Sequence, residues 1–478
     1  MAFLDGTVVN VALPVMQREL EIAVDRVQWI VEAYSLLLAA LVLVGGALGD
    51  RYGRKRVFLW GVTLFAVASA ACGLAPEAMS LIVARAVQGV GAALLVPGSL
   101  ALITGAYPEE GRGKAIGTWS AFSAITAAVG PVAGGWVVEH ASWRWLFFFN
   151  APVAVVVIAI ARRRVEEMRD DTAPKHMDWP GAVLATVGLG VVTFALVDSA
   201  RVPGTTRMLV LLATGIATLI AFVVVEVTSR DPMVPLSLFR SRTFTGTNLL
   251  TLLLYAGLGG GLFFVPFNLI QVQGYSPAAA GASWLPFVVL VSALSRWAGG
   301  LVVSLGARML LMVGPLIAAA GFALLALPGS GGSYWSTFFP GIVVLGLGMG
   351  VTVAPLTATV MGAVDSHHAG VASGINNAVS RAAGLLAIAA LGVVLVARFD
   401  TVLDRELASR VLPPDVLSIV DAQRRKLAAA EVPASLHDIF VKSYLAGFRT
   451  VMTAASVLAA LGGLCAFAFV ERGAQRQG

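Results

Sequence analysis

The chain has 478 residues, of which 58% are hydrophobic and 13% are charged. An ordinary soluble domain carries roughly 25% charged residues, and a single soluble core stops growing near roughly 250–300 residues. With a mean hydropathy of +0.85, this composition excludes one large soluble domain and indicates a chain that lies in a lipid bilayer. The net charge of +6 does not indicate nucleic-acid binding, because the basic residues lie between apolar runs.

Apolar runs of about 20 residues, long enough to cross a bilayer as helices, follow one another along the chain. They predict about fourteen spans, near residues 1–16, 27–48, 57–75, 79–104, 115–138, 145–161, 181–199, 208–227, 244–269, 277–303, 308–328, 335–362, 371–397 and 443–470. The first run is short for a hydrocarbon core roughly 30 Å thick. Either the natural chain begins upstream of Met1, which we favour, or this helix begins inside the membrane. The predicted fold class is all-α integral membrane, since the alternation typical of membrane β-strands is absent from the sequence.

Lysine and arginine are divided unequally between alternate loops. One set of loops holds about fifteen of them and the other short loops about five. By the positive-inside rule the richer side is cytoplasmic, and an even number of spans places both termini there. We therefore predict a multi-pass protein of the bacterial cytoplasmic membrane. The long polar segment 398–442 falls on the predicted outer side, with a short helix near 416–430.

Two turns between spans resemble each other. GGALGDRYGRKRVFLWG begins at Gly45, and GGLVVSLGARMLLMVG begins at Gly299. Each has paired glycines at the end of an apolar run, a short turn with glycine, then arginine and a new run. The similarity indicates a duplicated transporter built around a central site, and coincidence between glycine-rich segments is the alternative.

Six segments carry motifs that occur together in one family. They are LDGTVVNVALP at 4–14, GGALGDRYGRKRV at 45–57, RAVQGVGAALLVPGS at 85–99, AVGPVAGGWV at 128–137, WRWLFFFNAP at 143–152 and GVASGINNAV at 370–379. In this order they resemble the major facilitator superfamily, and in particular its fourteen-span drug:proton antiporters (EmrB/QacA-like). The chain departs from that pattern in its short first span, its degenerate second turn, and Glu32 in the second span.

The resemblance implies two six-helix bundles with two extra spans between them. The expected domains are an N-terminal bundle over residues 1–162, a linker with the two extra spans over 163–243, and a C-terminal bundle over 244–478. The C-terminal bundle includes the outer segment 398–442.

The loop after the second span combines glycines with both signs of charge. Its members are Gly46, Asp50, Arg51, Gly53, Arg54 and Lys55. Glycine lets helix ends approach closely, and the charges can pair with groups on an opposing bundle. A merely positive loop is the alternative from composition alone, whereas the resemblance implies a conformational latch.

The predicted fifth span contains Gly130, Pro131, Gly134 and Gly135. These residues remove side-chain bulk and one backbone hydrogen bond, which favours a close-packing surface that can kink. Generic packing of small residues is the alternative, and the resemblance implies antiport rather than uptake.

Charged residues inside apolar runs are costly in lipid, so they usually face a cavity and pair with one another. Asp5, Glu32 and Arg85 are the candidates for proton coupling. The two acids would carry protons, and Arg85 would release a carboxylate when that carboxylate is protonated. A static ion pair is the alternative for each acid, and contact with the outer lipid headgroups is a further alternative for Glu32. We favour static pairing, or snorkelling at helix ends, for the remaining three arginines, Arg296, Arg381 and Arg449.

Aromatic and amide side chains within the spans are candidates for lining a substrate cavity. They are Asn10, Tyr34, Gln88, Phe122, Phe263 and Phe267. Aromatic walls suit lipophilic cations, and ordinary helix packing is the alternative for each aromatic residue. We expect no cofactor and no metal, because Cys72 and Cys465 lie far apart in apolar runs without metal-ligand spacing.

These features predict a secondary active transporter, not an enzyme, that exports small drug-like organic molecules in exchange for protons by alternating access. The sequence contains no GxxxxGK[ST] loop, so we do not expect ATP as its energy source. Proton symport for uptake is the first alternative. A membrane-embedded enzyme or receptor is the second alternative. The sequence shows neither the nucleophile–base set that an enzyme would need nor the ligand domain that a receptor would need. The expected partners are substrate, protons and lipid, not nucleic acid, and accessory efflux proteins are not readable from the sequence.

Overall fold

A computed structural model describes residues 1–106, 122, 126, 129–168, 178–199, 206–229, 232, 234–364, 369–408, 410 and 413–471. Regular structure within these ranges is helical. In lipid a helix is favoured because it satisfies its own backbone polar groups. The helices are α1 (Ala2–Glu19), α2 (Val24–Tyr52), α3 (Arg54–Leu74), α4 (Ala78–Ala106), α5 (129–140), α6 (Arg144–Phe148), α7 (Asn150–Arg164), α8 (Trp179–Ser199), α9 (Thr206–Thr228), α10 (Arg242–Phe267), α11 (Pro277–Ala282), α12 (Leu285–Leu305), α13 (Ala307–Leu325), α14 (Tyr334–Thr337), α15 (Phe339–Gly362), α16 (Ala369–Ala408), α17 (Pro414–Gln423) and α18 (Ala434–Phe469).

Within the described ranges, eleven helical segments are long and apolar enough to cross a membrane, and each overlaps a predicted span. The predicted span 1–16 overlaps α1, which begins at Ala2, and the predicted span 27–48 falls within α2. Of the predicted span 115–138, the structure describes residues 122, 126 and 129–138. The all-helical, multi-span class is confirmed, and the total of fourteen spans stays a prediction.

Large apolar side chains cover much of the surface around the helix bundle. Trp60, Leu74 and Trp297 are more than half exposed, and α9 has apolar side chains exposed along its length. Surfaces of this kind are unfavourable in water, because monomeric soluble proteins rarely expose large contiguous apolar patches. The exposed surface is therefore suited to contact with lipid.

The two similar turns have the same backbone form. Gly53 alone separates α2 from α3 with φ of +109°, and Gly306 alone separates α12 from α13 with φ of +80°. Only glycine adopts such angles without strain. α4 packs along both α2 and α3, and α15 packs along both α12 and α13. The two three-helix units are therefore arranged alike, which supports the duplication inferred from the sequence.

Helices from the two ends of the chain meet along α1, α2, α10 and α16. α1 packs on α10 and α11, and α2 packs on α16. α8 packs on α9 and also contacts both α2 and α16, so the pair α8–α9 lies beside this junction. The domain boundaries at residues 162 and 243 stay a prediction.

Segment 398–442, which is predicted to lie on the outer side, is more helical in its described residues than the sequence predicts. α16 continues to Ala408 and α18 begins at Ala434, and between them lie α17 and a 3-10 helix over Arg424–Ala429. Arg424 Nη1 lies 3.4 Å from Asp400 Oδ1. Ion pairs between neighbouring segments allow helices to continue beyond their apolar runs. A prediction based only on the length of the apolar runs therefore ends these helices too early.

Candidate functional site

A cavity of about 330 Å³ lies between helices from the two ends of the chain. α1, α2 and α4 form one wall, and α10 and α16 form the other. Its polar lining residues include Asp5, Asn10, Tyr34, Arg85, Tyr255, Asn377, Ser380 and Arg381. Cavities of roughly 300–1,000 Å³ with a few polar groups are typical of small-molecule sites.

Asp5 lies on the cavity wall with both carboxylate oxygens engaged. Arg85 Nη1 donates to Asp5 Oδ2, and Gln88 Nε2 donates to Asp5 Oδ1 over 3.0 Å. Arg85 Nη1 also donates to Gln88 Oε1 over 2.7 Å. All three residues are at most 1% exposed. Two opposite charges can be buried this deeply because their attraction and shared hydrogen bonds offset the loss of water.

The guanidinium of Arg85 is held from several directions. Arg85 and Gln88 are three residues apart on α4, so their side chains share one helix face. Arg85 Nε donates to the carbonyl oxygen of Ile30 over 3.0 Å, and its Cζ lies 4.2 Å from the centre of the Tyr34 ring. The cluster therefore joins α1, α2 and α4 through one charged group.

Glu32, the third candidate for proton coupling, faces away from this cluster. Trp29, Glu32 and Leu36 share one face of α2 because they are three and four residues apart. The Trp29 ring lies 6.2 Å from the Phe194 ring, and a Cβ at Gly190 would lie 3.4 Å from Leu36 Cδ2. Glu32 is therefore directed toward α8, outside the cavity lining.

Two polar side chains between α2 and α8 have no hydrogen-bond partner among the described residues. They are the Glu32 carboxylate, through both of its oxygens, and the Thr193 hydroxyl, and both side chains are fully buried. Thr193 immediately precedes Phe194 on α8, so it lies at the depth of Glu32. An unpaired buried carboxylate is costly unless it is neutral.

The structure brings two of the six cavity candidates to the cavity, Asn10 and Tyr34. Gln88 lies behind the wall, where it binds Asp5 and Arg85. Phe263 and Phe267 are 2% exposed and pack on each other at 5.6 Å within the core, as the packing alternative predicted. Phe122 is 66% exposed. Helical spacing does not reveal which face of a hydrophobic helix is turned to a cavity, because every face is apolar.

Arg381 also lines the cavity, where the sequence had indicated a static or snorkelling role. Arg449 does fit the static interpretation, because its Nη2 donates to the carbonyl oxygens of Leu327 and Pro328 at 3.5 and 3.4 Å. The side chain of Arg296 lies outside the described part of the structure. Tyr255, Asn377 and Ser380 were missed as cavity residues. Asn377 lies within the motif GVASGINNAV, but the sequence does not show which face of α10 or α16 is turned to the cavity.

The loop after α2 is bound by the chain that follows α7. Glu167 accepts from the backbone N–H groups of Lys55 and Arg56 at 3.0 and 3.2 Å, and Met168 O accepts from Arg54 N at 2.9 Å. Glu167 thus caps the first turn of α3, whose N–H groups would otherwise lack acceptors. A Cβ at Gly53 would lie 2.5 Å from Glu167 Oε1.

The six latch candidates all lie in this region. Gly46 packs near Pro97, and the Arg51 guanidinium lies 5.4 Å from the centre of the Tyr52 ring. Lys55 Nζ donates to the carbonyl oxygen of Arg162 over 3.2 Å. The side chain of Asp50 lies outside the described part. Contact between this loop and an opposing bundle stays a prediction.

The antiporter-motif helix α5 fits between α1 and α11. A Cβ at Gly130 would collide with Thr7 Oγ1, and one at Gly134 would collide with Val8. A Cβ at Gly135 would lie 2.7 Å from the carbonyl carbon of Pro277.

The contact with α11 is reciprocal. A Cβ at Gly281 would lie 2.6 Å from the carbonyl carbon of Pro131. These glycines bring two backbones together at the predicted outer end.

Polar contacts join the two groups of helices at the same end. Glu139 Oε2 accepts from Ala278 N over 3.2 Å, and the Ser276 hydroxyl also binds this carboxylate. Gln271 Nε2 donates to Gln17 Oε1 over 3.0 Å. In addition, Gln28 Nε2 donates to the carbonyl oxygen of Ile388 over 3.0 Å. Together with the glycine contacts, these bonds hold the predicted outer ends of the helices against one another.

A helical bundle with a cavity between two similarly arranged groups of helices is the architecture of membrane transporters built from duplicated helix bundles. The family model of the Major Facilitator Superfamily matches residues 1–388. A solved bacterial homologue of the human lysosomal transporter Spinster, in an inward-facing conformation, superposes with a TM-score of 0.70. That match has 17% identity and covers 98% of this chain and 93% of the other, so it shows the fold alone.

Similar sequences agree with this class. The puromycin resistance protein pur8 of Streptomyces alboniger is 36% identical over 82% of this chain and 79% of its own length. The tetracenomycin C resistance and export protein of Streptomyces glaucescens is 32% identical over 96% of this chain and 87% of its own. The chain belongs to the Major Facilitator Superfamily and is a membrane-embedded transporter.

Proposed function

We propose that this transporter exports small drug-like organic molecules from the cytoplasm in exchange for protons, as a fourteen-span drug:proton antiporter. The observation that carries the proposal is the buried Asp5–Arg85 pair on the wall of a cavity between the two halves. The names of the similar resistance and export proteins support efflux as the direction. The proposed location is the bacterial cytoplasmic membrane, with both termini in the cytoplasm.

The arrangement of contacts supports an inward-facing state in this proposal. The predicted outer ends are joined through Glu139, Gln17 and Gln28. The cavity lining from α1 includes Ala2, Asp5 and Asn10, which lie in the predicted cytoplasmic half of that helix. Substrate would therefore enter from the cytoplasm, and an outward-facing state would require the outer contacts to separate.

Proton coupling in this scheme acts through the ion pair. In the inward-facing state Asp5 is ionised and Arg85 holds it together with Gln88. When the cavity opens outward, a proton that binds to Asp5 removes its charge and weakens its attraction for Arg85. Return to the inward-facing state releases the proton to the cytoplasm and restores the pair. Glu32 is proposed as a second protonatable group, which stays neutral while it is buried without partners.

Substrate-driven proton release from everted vesicles tests the proposal, with tetracenomycin C, the compound named for one of the similar exporters, as the first compound. We expect release by the wild type and its loss in Asp5→Asn, which mimics a permanently protonated acid. Downhill substrate movement is retained in that variant. Asp438→Asn, at an exposed acid near the predicted outer end, is the matched control and should behave like the wild type.

Two results would contradict parts of this scheme. Full proton release by Asp5→Asn would remove Asp5 from the coupling mechanism and leave Glu32 as the main candidate, which Glu32→Gln would then test. Proton movement in the same direction as the substrate would instead favour uptake symport, which we consider less well supported because α5 carries the antiporter-type motif.

Labelling of single cysteines tests the proposed orientation. Lys55→Cys should react with a membrane-impermeant maleimide only from the cytoplasmic side, and Ser418→Cys on exposed α17 only from outside. The opposite pattern at both sites would reverse the topology.

A further inference from the structure

Arg381 is a charged residue of the cavity wall that has no ion pair or hydrogen bond within the described ranges. It lies on α16 and faces the cavity from the side opposite Asp5 and Arg85. Arg449, another arginine in an apolar segment, is bound by two carbonyl oxygens at a helix end. Arg381 lacks such acceptors, so its guanidinium donors are available to a bound molecule.

The other two charges of the cavity already compensate each other. Both oxygens of Asp5 accept hydrogen bonds, and Arg85 donates to Asp5, Gln88 and Ile30. The described charged groups of the lining are one carboxylate and two guanidinium groups, so the lining carries a net positive charge. That charge attracts anions and repels cations.

We propose that Arg381 binds the acidic group of an organic anion and that the cavity selects lipophilic weak acids in their ionised form. The proposal rests on the transport function proposed above and specifies its substrate class. The sequence had instead favoured lipophilic cations as substrates, because Phe263 and Phe267 were expected to line the cavity. These two rings lie in the core, and among the described lining residues the charge without an ion-pair partner, that of Arg381, is positive.

The rest of the lining supports a flat, partly polar molecule. Tyr34 and Tyr255 offer ring surfaces on opposite walls. Asn377 Nδ2 donates to the carbonyl oxygen of Ser373 over 3.0 Å, which leaves its Oδ1 to accept a hydrogen bond from a hydroxyl group of the bound molecule. An aromatic carboxylate or phenolate could place its ring between the walls and its charge on the planar guanidinium, which suits carboxylates through paired hydrogen bonds.

Binding of three naphthalene compounds that differ in charge tests this proposal. The probes are 2-naphthoate, 2-naphthamide and 2-naphthylmethylammonium, measured by equilibrium dialysis with the full chain in lipid nanodiscs. We expect the wild type to bind the anion at least about tenfold more tightly than the cation. Arg381→Gln should weaken binding of the anion by about 10- to 100-fold, which is the range for a lost charged hydrogen bond, and should leave binding of the amide nearly unchanged.

Two further variants separate the charge of Arg381 from its structural effects. Arg381→Lys should restore part of the preference for the anion because it restores the charge. Arg398→Gln is the matched control, since Arg398 is an exposed arginine on the same helix, and its binding should equal that of the wild type. Equal binding of all three probes by the wild type, tighter binding of the cation, no binding of any probe, or an unchanged preference in Arg381→Gln would overturn the proposal.

The same protein in everted vesicles distinguishes this inference from the proposed function. If the anion binds through Arg381 but no probe drives proton release, the substrate class stands and proton antiport fails. If the cation drives proton release and the anion does not bind, antiport stands and the role of Arg381 fails.

Discussion

Substitution of Gly135 by alanine should open the predicted outer end of the transporter. The new Cβ would lie 2.7 Å from the carbonyl carbon of Pro277 and 2.8 Å from the Cα of Ala278. Carbon atoms pack best about 3.5–4.0 Å apart. Because the obstructing atoms belong to the backbone of α11, no side-chain rotation relieves the clash, and the helices must separate by about 1 Å.

The expected effect is a shift in population rather than loss of the fold. Overpacking of a close contact costs about 1–3 kcal/mol. This cost applies only while α5 and α11 touch, so it destabilises the outer-closed state relative to the outer-open state by the same amount. The ratio of the two states should change by about 5- to 150-fold.

A cysteine in the cavity measures this shift. Ser380→Cys lines the cavity, and it can be placed in a variant that lacks the native Cys72 and Cys465. In right-side-out vesicles, an impermeant maleimide reaches this cysteine only through an outer opening. Its reaction rate should rise by about 5- to 150-fold when Gly135→Ala is added, until the open state predominates.

Gly300→Ala is the matched control, because it lies within α12 and a Cβ there would meet no atom within 4 Å. Both substitutions raise helix propensity by about 1 kcal/mol, so this effect cancels in the comparison. Equal labelling rates in the two variants would show that the α5–α11 contact does not control outer access.

The remaining predictions concern two surface carboxylates. Glu167→Ala should lower the free energy of unfolding by about 0.5–2 kcal/mol, because the first turn of α3 loses its acceptors. Glu166→Ala is its control, and equal thermal stability of the two variants would refute a capping role. The Ser276 hydroxyl and the Ala278 N–H lower the pKa of Glu139, which follows the predicted span 115–138. The outer contact is therefore stabilising at neutral pH and is lost as the pH falls through that lowered pKa. The rate of Ser380→Cys labelling from outside should rise at acid pH when it is divided by the rate of the exposed Ser418→Cys at the same pH, which corrects for the falling thiolate fraction. Glu139→Gln should abolish this rise, and a rise that persists in Glu139→Gln would assign it to another group.

The helical, membrane-embedded class could be read from the sequence because it depends on local properties. An apolar run of sufficient length favours a helix in lipid wherever its neighbours lie. The similar turns at Gly53 and Gly306 were also visible, because a turn with positive φ requires glycine at that position. Family motifs added the transporter class, since they occur in a fixed order along the chain.

The composition of the cavity depended on how the helices pack. Asp5 and Arg85 are 80 residues apart, and only the packing of α1, α2 and α4 brings them together. The sequence singled them out because charge in an apolar run is rare and costly. It could not show that Glu32 faces α8, or that Glu167 caps α3. Phe263 was expected in the cavity and lies in the core, whereas Arg381 was expected in a static role and lines the cavity. The rotation of an almost wholly apolar helix about its axis is decided by the neighbouring helices rather than by its own sequence pattern.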